Sequence, residues 1–161
     1  MREQTCCFTG HRELAEPVEI IEKRLLDTVE KLIQSGYRYF GAGGARGFDA
    51  LASEAVLKLK EKYPHIHLIL VLPFPEQYRR EGNWTSAEID QYHSLQERAS
   101  RVVTLAPAYS SGVYYRRDRR LADHSSLCVA YLKRKNSGTG YTVDYAARQG
   151  LRVLNLAGKT G

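Results

Sequence analysis

The sequence lacks the features typical of membrane, secreted and zinc-binding proteins. None of its apolar runs approaches the roughly 20 residues that a membrane-spanning helix needs, and the opening MREQT has no apolar segment like that of a signal peptide. Cysteine is scarce: the three residues are an odd number, all lie in apolar runs, and none belongs to a Cys-x-x-Cys pair. We therefore expect buried thiols and a cytoplasmic location, with no membrane segment and no structural zinc site.

Repeats, low-complexity tracts and linkers are also absent, so nothing in the sequence divides the chain. Its 161 residues, 43% of them hydrophobic, can bury one core, and residues 1–161 are predicted to form a single domain. The formal net charge of +6 favours anionic partners such as nucleotides, nucleic acid or acidic proteins. A net charge of this size more often reflects a basic surface exposed to solvent than a surface that binds nucleic acid.

Short apolar runs alternate with amphipathic stretches, which is the pattern of an α/β domain with a mostly parallel sheet. Six strands are predicted, over residues 5–8, 37–41, 66–72, 101–105, 127–132 and 152–156. Helices are predicted from residue 18 to about 35, around residues 51–59, from a capping box at Thr85, and over residues 114–123 and 139–148. The loops after the strands then meet at the carboxyl edge of the sheet, where open α/β sheets bind ligands.

Two glycine-rich loops each lead from a predicted strand into a helix: GGARGFD at residues 43–49 and NSGTGYT at residues 136–142. Such a turn points several backbone N–H groups, with the positive end of the helix dipole, at one place where an anion fits. A tight turn alone also requires glycine, but two such loops at one sheet edge favour anion binding. The predicted phosphate contacts from these loops are Gly43, Gly44, Arg46, Gly47, Asp49, Ser137, Gly138, Thr139, Gly140 and Thr142.

The motif FTGHR, where the first predicted strand stops, adds four more candidates: Thr9, Gly10, His11 and Arg12. Thr9 and Gly10 allow a close backbone approach, while His11 and Arg12 offer donors to an anionic or ribose-like ligand. A structural or merely exposed histidine is an equally good interpretation of His11.

The segment YYRRDRRLADHSS carries four arginines that cannot all face a core. The default interpretation is a solvated or partner-binding surface. The more specific interpretation is a phosphate clamp that includes Arg117. Asp123 either accepts a hydrogen bond from a ribose hydroxyl or caps a turn. Phe74 and Trp84, in the loop after Pro73, either stack on a base or pack on the body of the protein.

No Ser/His/Asp set, metal-ligand cluster or close pair of carboxylates is recognisable, and no metal or definite cofactor is predicted. Glu54 and Asp144 lie about one turn inside the two helices that begin at glycine-rich loops. They are the weak candidates for a catalytic acid or base.

Together, CCFTGHR, GGARGFDALASEAV, LPFPEQ, RRDRRLADHSSLCVAY and SGTGYTVDYA resemble the YpsA-like branch of the SLOG superfamily, in order and over nearly the whole chain. GGARGFD is also similar to the GGARGID-type signature of the DNA-processing protein DprA, another member of that superfamily. The resemblance implies a Rossmann-like sheet and a pocket for a nucleotide or nucleotide-derived ligand, such as ADP-ribose or NAD. It also implies a link to bacterial cell division or stress.

Two relatives within the superfamily define the alternatives. The LOG phosphoribohydrolases carry a GGxGTxxE pattern; here Gly138 and Thr142 match it, but Thr139 and Tyr141 replace glycines and Tyr145 replaces the catalytic glutamate. This departure argues against N-glycosidic hydrolysis of a nucleotide. DprA-like proteins bind single-stranded DNA, which the basic stretch at residues 116–120 keeps as an alternative. The sequence leaves the oligomeric state open, a homo-oligomer included.

Overall fold

Six parallel strands form one sheet in the computed structural model, which describes residues 1–158. The strands are β1 (Thr5–Gly10), β2 (Tyr39–Ala42), β3 (His67–Leu72), β4 (Arg101–Thr104), β5 (Leu127–Tyr131) and β6 (Arg152–Asn155). They are ordered β4-β3-β2-β1-β5-β6, and every neighbouring pair is parallel. The predicted α/β fold with a Rossmann-like parallel sheet is confirmed, with strand ends that differ by one or two residues.

Six α-helices connect the strands: α1 (Val18–Gln34), α2 (Phe48–Lys60), α3 (Gln77–Glu81), α4 (Ser86–Arg98), α5 (Val113–Asp123) and α6 (Gly138–Arg148). The capping box at Thr85 is present, with reciprocal bonds between Thr85 and Glu88. Helix α3 was not predicted, and neither was a short 3₁₀ helix at Arg2–Gln4. A five-residue helix is too short to show a hydrophobic period, so the sequence carries no signal for it.

The two faces of the sheet pack against different helices because side chains alternate along each strand. Cys6 and Phe8 of β1 face a core with α1, α2 and α4, while Cys7 faces a second core with Leu121 of α5 and Ala146 of α6. All three cysteines are buried and free, as expected for reduced thiols. The second layer is thinner, since among the described residues two helices, α5 and α6, cover that face.

The chain changes direction between β1 and β5. After β1 it continues through α1 to β2 on one side, whereas after β5 it continues through α6 to β6 on the other. Their carboxyl-end loops therefore diverge and leave a crevice, the switch point at which open parallel sheets bind ligands.

Candidate functional site

A pocket of about 640 Å³ occupies this crevice, a volume within the usual range for ligand sites. Its walls come from the loops after β1, β2 and β5, from α3 with the residues just after it, and from α5. The predicted site residues that line the pocket are Thr9, Gly10, His11, Arg12, Arg46, Asp49, Arg117, Ser137, Gly138 and Thr139. The structure therefore brings the three predicted motifs together at one place.

The glycines of GGARGFD lie behind the pocket wall and serve internal packing. Gly44 and Gly47 have φ values of +75° and +78°, which side chains other than glycine rarely adopt. A Cβ atom on Gly44 would overlap the side chain of Leu72, and one on Gly47 would overlap the backbone of Arg12. The loop needs these glycines in order to turn and pack, whether or not a ligand is bound.

A buried ionic network closes the approach to Gly43. The Arg117 guanidinium donates to the Gly43 carbonyl and to Asp118 Oδ1, the latter at 2.7 Å, and Asp49 Oδ2 accepts from the Gly43 amide at 3.3 Å. Burial raises the pKa of Asp49 to about 6, against the opposing effect of the Arg117 charge. Burial lowers the pKa of Arg117, but the charges of Asp118 and Asp49 outweigh it and the net shift is upward. Arg117 therefore stays charged while it holds the β2 loop against α5.

His11 connects three segments around the pocket. Its Nε2 accepts from the amides of Lys133 and Arg134, at 2.8 and 3.2 Å, and its backbone bonds Tyr131 and Phe48. Burial lowers the pKa of His11, and so does the charge of Arg134. The two amide donors assign the neutral tautomer with its proton on Nδ1. His11 thus positions the loop between β5 and α6.

The first turn of α6 presents backbone donors to the pocket. Ser137 Oγ caps the helix by accepting from the Gly140 amide at 3.0 Å, which uses one of the free N–H groups. Within residues 1–158, the amides of Gly138 and Thr139 have no acceptor. A Cβ atom on Gly138 would enter open space, whereas one on Gly140 would overlap Lys135. Thr142 lies inside the helix, where its hydroxyl donates to the Gly138 carbonyl at 3.1 Å.

Five arginines and four carboxylates line the pocket, and most of them are paired. Arg12 contacts Glu81 at 3.3 Å, while Arg46 pairs with Glu13 and, at 3.7 Å, with Glu88 outside the lining. Among the described residues, Arg80 and Arg134 contact no carboxylate; the Arg80 guanidinium lies 3.3 Å from the ring centroid of Tyr109.

Sequence reasoning missed Arg134, Glu81 and Tyr114. Arg134 follows β5 at the carboxyl edge, a position that could have marked it. Glu81 accepts from Tyr114 Oη at 3.1 Å and from the Trp84 indole at 2.9 Å, and so attaches α3 to the pocket wall. No sequence signal marks Glu81, because α3 itself has none.

The remaining candidates lie elsewhere. Phe74 is buried edge-to-face against Tyr109 and Tyr114, and Trp84 packs on Tyr78 and Tyr92. Asp123 accepts from Tyr145 Oη at 2.7 Å, on the side of α5 away from the pocket. The two acid/base candidates are ion-paired outside the pocket, Glu54 with Arg98 and Asp144 with Arg148.

Within residues 1–158, no group of three or more His, Cys, Asp or Glu side chains is arranged to hold a metal ion. No helix in that same part of the chain has the length and apolar character needed to cross a membrane.

The fold and the pocket define the class: a parallel α/β protein with a polar crevice at the switch point of its sheet. The family model YpsA, described as the YspA SLOG family, matches residues 6–152, and the chain belongs to this family. The predicted membership of the YpsA-like branch is confirmed.

Curated relatives come from bacteria. The chain is 30% identical over 135 residues to a UPF0398 protein of Halalkalibacterium halodurans, covering 82% of this chain and 70% of the relative. It is 28% identical over 141 residues to the uncharacterized SPbeta prophage-derived protein YoqJ of Bacillus subtilis, covering 80% and 81%.

Solved structures of DNA processing protein A show the same fold. The protein from Streptococcus pneumoniae superposes with a TM-score of 0.67 at 16% identity; the match covers 98% of this chain and about half, 51%, of that one. The protein from Helicobacter pylori, whose structure describes a single-stranded DNA binding mode, gives a TM-score of 0.69 at 16% identity, over 99% of this chain and 68% of that one.

Proposed function

We propose that this protein binds a phosphorylated nucleoside in the pocket between β1 and β5. The observation that carries the proposal is the first turn of α6: within residues 1–158, its amides of Gly138 and Thr139 have no acceptor, and Arg134 in the same pocket has no carboxylate partner. Amides at a helix N-terminus and a free guanidinium are both strong phosphate ligands, and here His11 fixes the loop that carries them.

The other pocket walls suit the rest of a nucleotide. Thr9 and Gly10, the last residues of β1, form one wall. The half-buried ring of Tyr114 and the exposed ring of Tyr115 offer apolar surface for a base. A ligand with two phosphates, such as ADP-ribose or NAD, would need a second cation. Arg12 would supply it on release from Glu81. A sensor role in cell division or stress would follow if the liganded and empty forms bound different partners.

Calorimetric titration with AMP, ADP, ADP-ribose and NAD tests the proposal, with adenosine as the ligand that lacks phosphate. Arg134→Ala should weaken binding of every phosphorylated ligand by about 10-fold to 100-fold, since a hydrogen bond to a charged group contributes roughly 1.5–3 kcal/mol. Arg152→Ala removes the same charge from an exposed position on β6 and should change nothing. Gly138→Val should fold normally, because its side chain enters open space, and should block the helix start. Equal affinities across these variants, or no binding of any nucleotide, would refute the site.

Single-stranded DNA is a second candidate, favoured by aromatic and basic side chains beside the pocket. Tyr115 is 47% exposed and packs at 4.5 Å between ring centroids on Tyr141, whose hydroxyl accepts from Arg119 at 3.1 Å. Bases that stack on such rings gain about 1–3 kcal/mol each. Binding of a fluorescent oligo-dT should weaken steeply with salt and fall in Tyr115→Ala. An oligonucleotide that stays free even at low salt would remove this candidate.

N-glycosidic hydrolysis has less support, because Glu54 and Asp144 are ion-paired outside the pocket. Release of free base from AMP or NAD, followed by chromatography, tests it directly. Turnover that is lost in Glu54→Gln or Asp144→Asn would restore the hydrolase assignment.

A further inference from the structure

A second cavity, of about 650 Å³, lies on the α5 side of the sheet, toward the amino ends of the strands. Alternate residues of three strands face this groove and form its floor: Tyr39, Gly41, His67, Ile69, Val71 and Val103. The C-terminal turn of α5 forms one wall, which includes Leu121 and His124. The floor is mostly apolar, in contrast to the ionic pocket at the carboxyl edge.

The groove exists because the second helical layer is incomplete. Leu121 of α5 packs over Gly41 of β2, and α6 packs over the other half of the sheet. Ile69 of β3 and Val103 of β4 are only half-buried, although strands of a parallel sheet are usually covered on both faces. Two strand spacings are about 10 Å, close to the diameter of one helix. The uncovered strip therefore has the width of a single missing helix.

Three arginines surround this apolar floor: Arg2, Arg101 and Arg120. Within residues 1–158, none of the three makes an ion pair or a side-chain hydrogen bond. The only carboxylate in the described lining is Asp123, which already accepts from Tyr145. An apolar strip with a basic border selects a partner with an apolar stripe and acidic flanks.

Other occupants fit less well. A second copy of this chain related by two-fold symmetry would bring the same three arginines against one another. A nucleic acid would meet three aliphatic side chains, Ile69, Val71 and Val103, and the two aromatic rings of the floor, Tyr39 and His67, already stack on each other at 5.5 Å. A flat membrane surface does not enter a groove. We propose that the groove docks an amphipathic helix of another protein, with acidic residues along both sides of its apolar stripe. The proposal does not rest on nucleotide binding, which we propose for the carboxyl edge of the sheet; Leu121 lies between the two cavities and lines both.

Site-specific photo-crosslinking in cells of the source organism tests this surface. The probe is p-benzoylphenylalanine in place of Val103, and the control carries it in place of Val18, which is 45% exposed on the opposite layer. We expect adducts at position 103 whose crosslinked peptides, mapped by mass spectrometry, have acidic residues flanking an apolar helical stripe. The double variant Arg101→Glu, Arg120→Glu should reduce these adducts at least tenfold. A synthetic peptide of the mapped segment should bind the purified protein and lose affinity by a similar factor in that variant.

Several results would overturn the proposal: no adduct at position 103, adducts with a second copy of this chain, mapped segments that are neutral or basic, or adducts that survive charge reversal. Loss of oligo-dT binding in the same variant would assign the groove to nucleic acid instead. Urea unfolding checks that the variant folds, and Arg101→Ala with Arg120→Ala is the milder pair if charge reversal prevents folding.

Discussion

Asp49 is a buried carboxylate whose ionisation the fold disfavours. The variant Asp49→Asn measures how much free energy of unfolding this ionisation costs. Its pKa rises from 3.8 to about 6, mainly through burial. Above pH 6 the residue is ionised in both the folded and unfolded states, and the folded state bears the cost. As the pH falls through 6, the folded state takes up a proton first, so stability increases until the unfolded state also protonates near 3.8. A shift of roughly 2 units corresponds to about 3 kcal/mol.

Urea unfolding of wild type and Asp49→Asn at pH 7.5, 6, 5 and 4 measures this effect as a difference between the two proteins. The amide that replaces the carboxylate in this variant keeps an oxygen to accept from Gly43 but has no charge to bury. Wild type should gain up to about 3 kcal/mol relative to the variant as the pH falls from 7.5 to 4. Other carboxylates, such as Glu16 with its pKa lowered to about 2, cancel in the difference. A difference that does not change with pH would refute a raised pKa at Asp49.

Three further predictions concern the pocket. In His11→Ala, the two backbone amides that donate to the His11 ring lose their acceptor, so the free energy of unfolding should fall by roughly 1–3 kcal/mol. Amide hydrogen exchange in the β5–α6 loop should also accelerate. His65→Ala, at an exposed position, should change neither quantity. Gly44→Ala should lower the melting temperature because the methyl group meets Leu72, whereas Gly138→Ala should not; equal melting temperatures would contradict the packing role. Glu81→Gln removes the carboxylate that pairs with a pocket arginine and should raise the affinity for ADP several-fold by calorimetry; unchanged or weaker binding would show that the pair does not compete with the ligand.

The sheet and most helices could be predicted because their signals are local. The apolar run IHLILVL predicts a strand and the structure has it as β3, although Ile69 on one face is only half-buried. The Thr85 to Glu88 spacing marks a helix start that the structure contains. The two unpredicted helices are a 3₁₀ turn and the short α3. A residue distant in sequence contacts α3, because Arg12 donates to Glu81.

The site was predictable only in part. The order of strands brings FTGHR and the NSGTGYT loop to one crevice, and that follows from the α/β pattern. The side chains that pack against the glycines could not be predicted from the sequence. Arg117 covers Gly43 and Leu72 covers Gly44, and both contacts depend on tertiary packing. His11 was predicted as a ligand donor or as structural, and its accepting Nε2 became visible only with the β5–α6 loop in place.

The strand order also has a consequence for how the chain is made. β1 pairs with β5 across the centre of the sheet, Phe8 beside Val129, and the intervening residues form five α-helices and three further strands. At roughly 5–20 residues per second, a ribosome needs about 6–24 s to reach β5 after completing β1. Throughout that interval the growing half-sheet presents an unpaired hydrophobic edge, so nascent chains should depend on chaperones most between the synthesis of β4 and of β5.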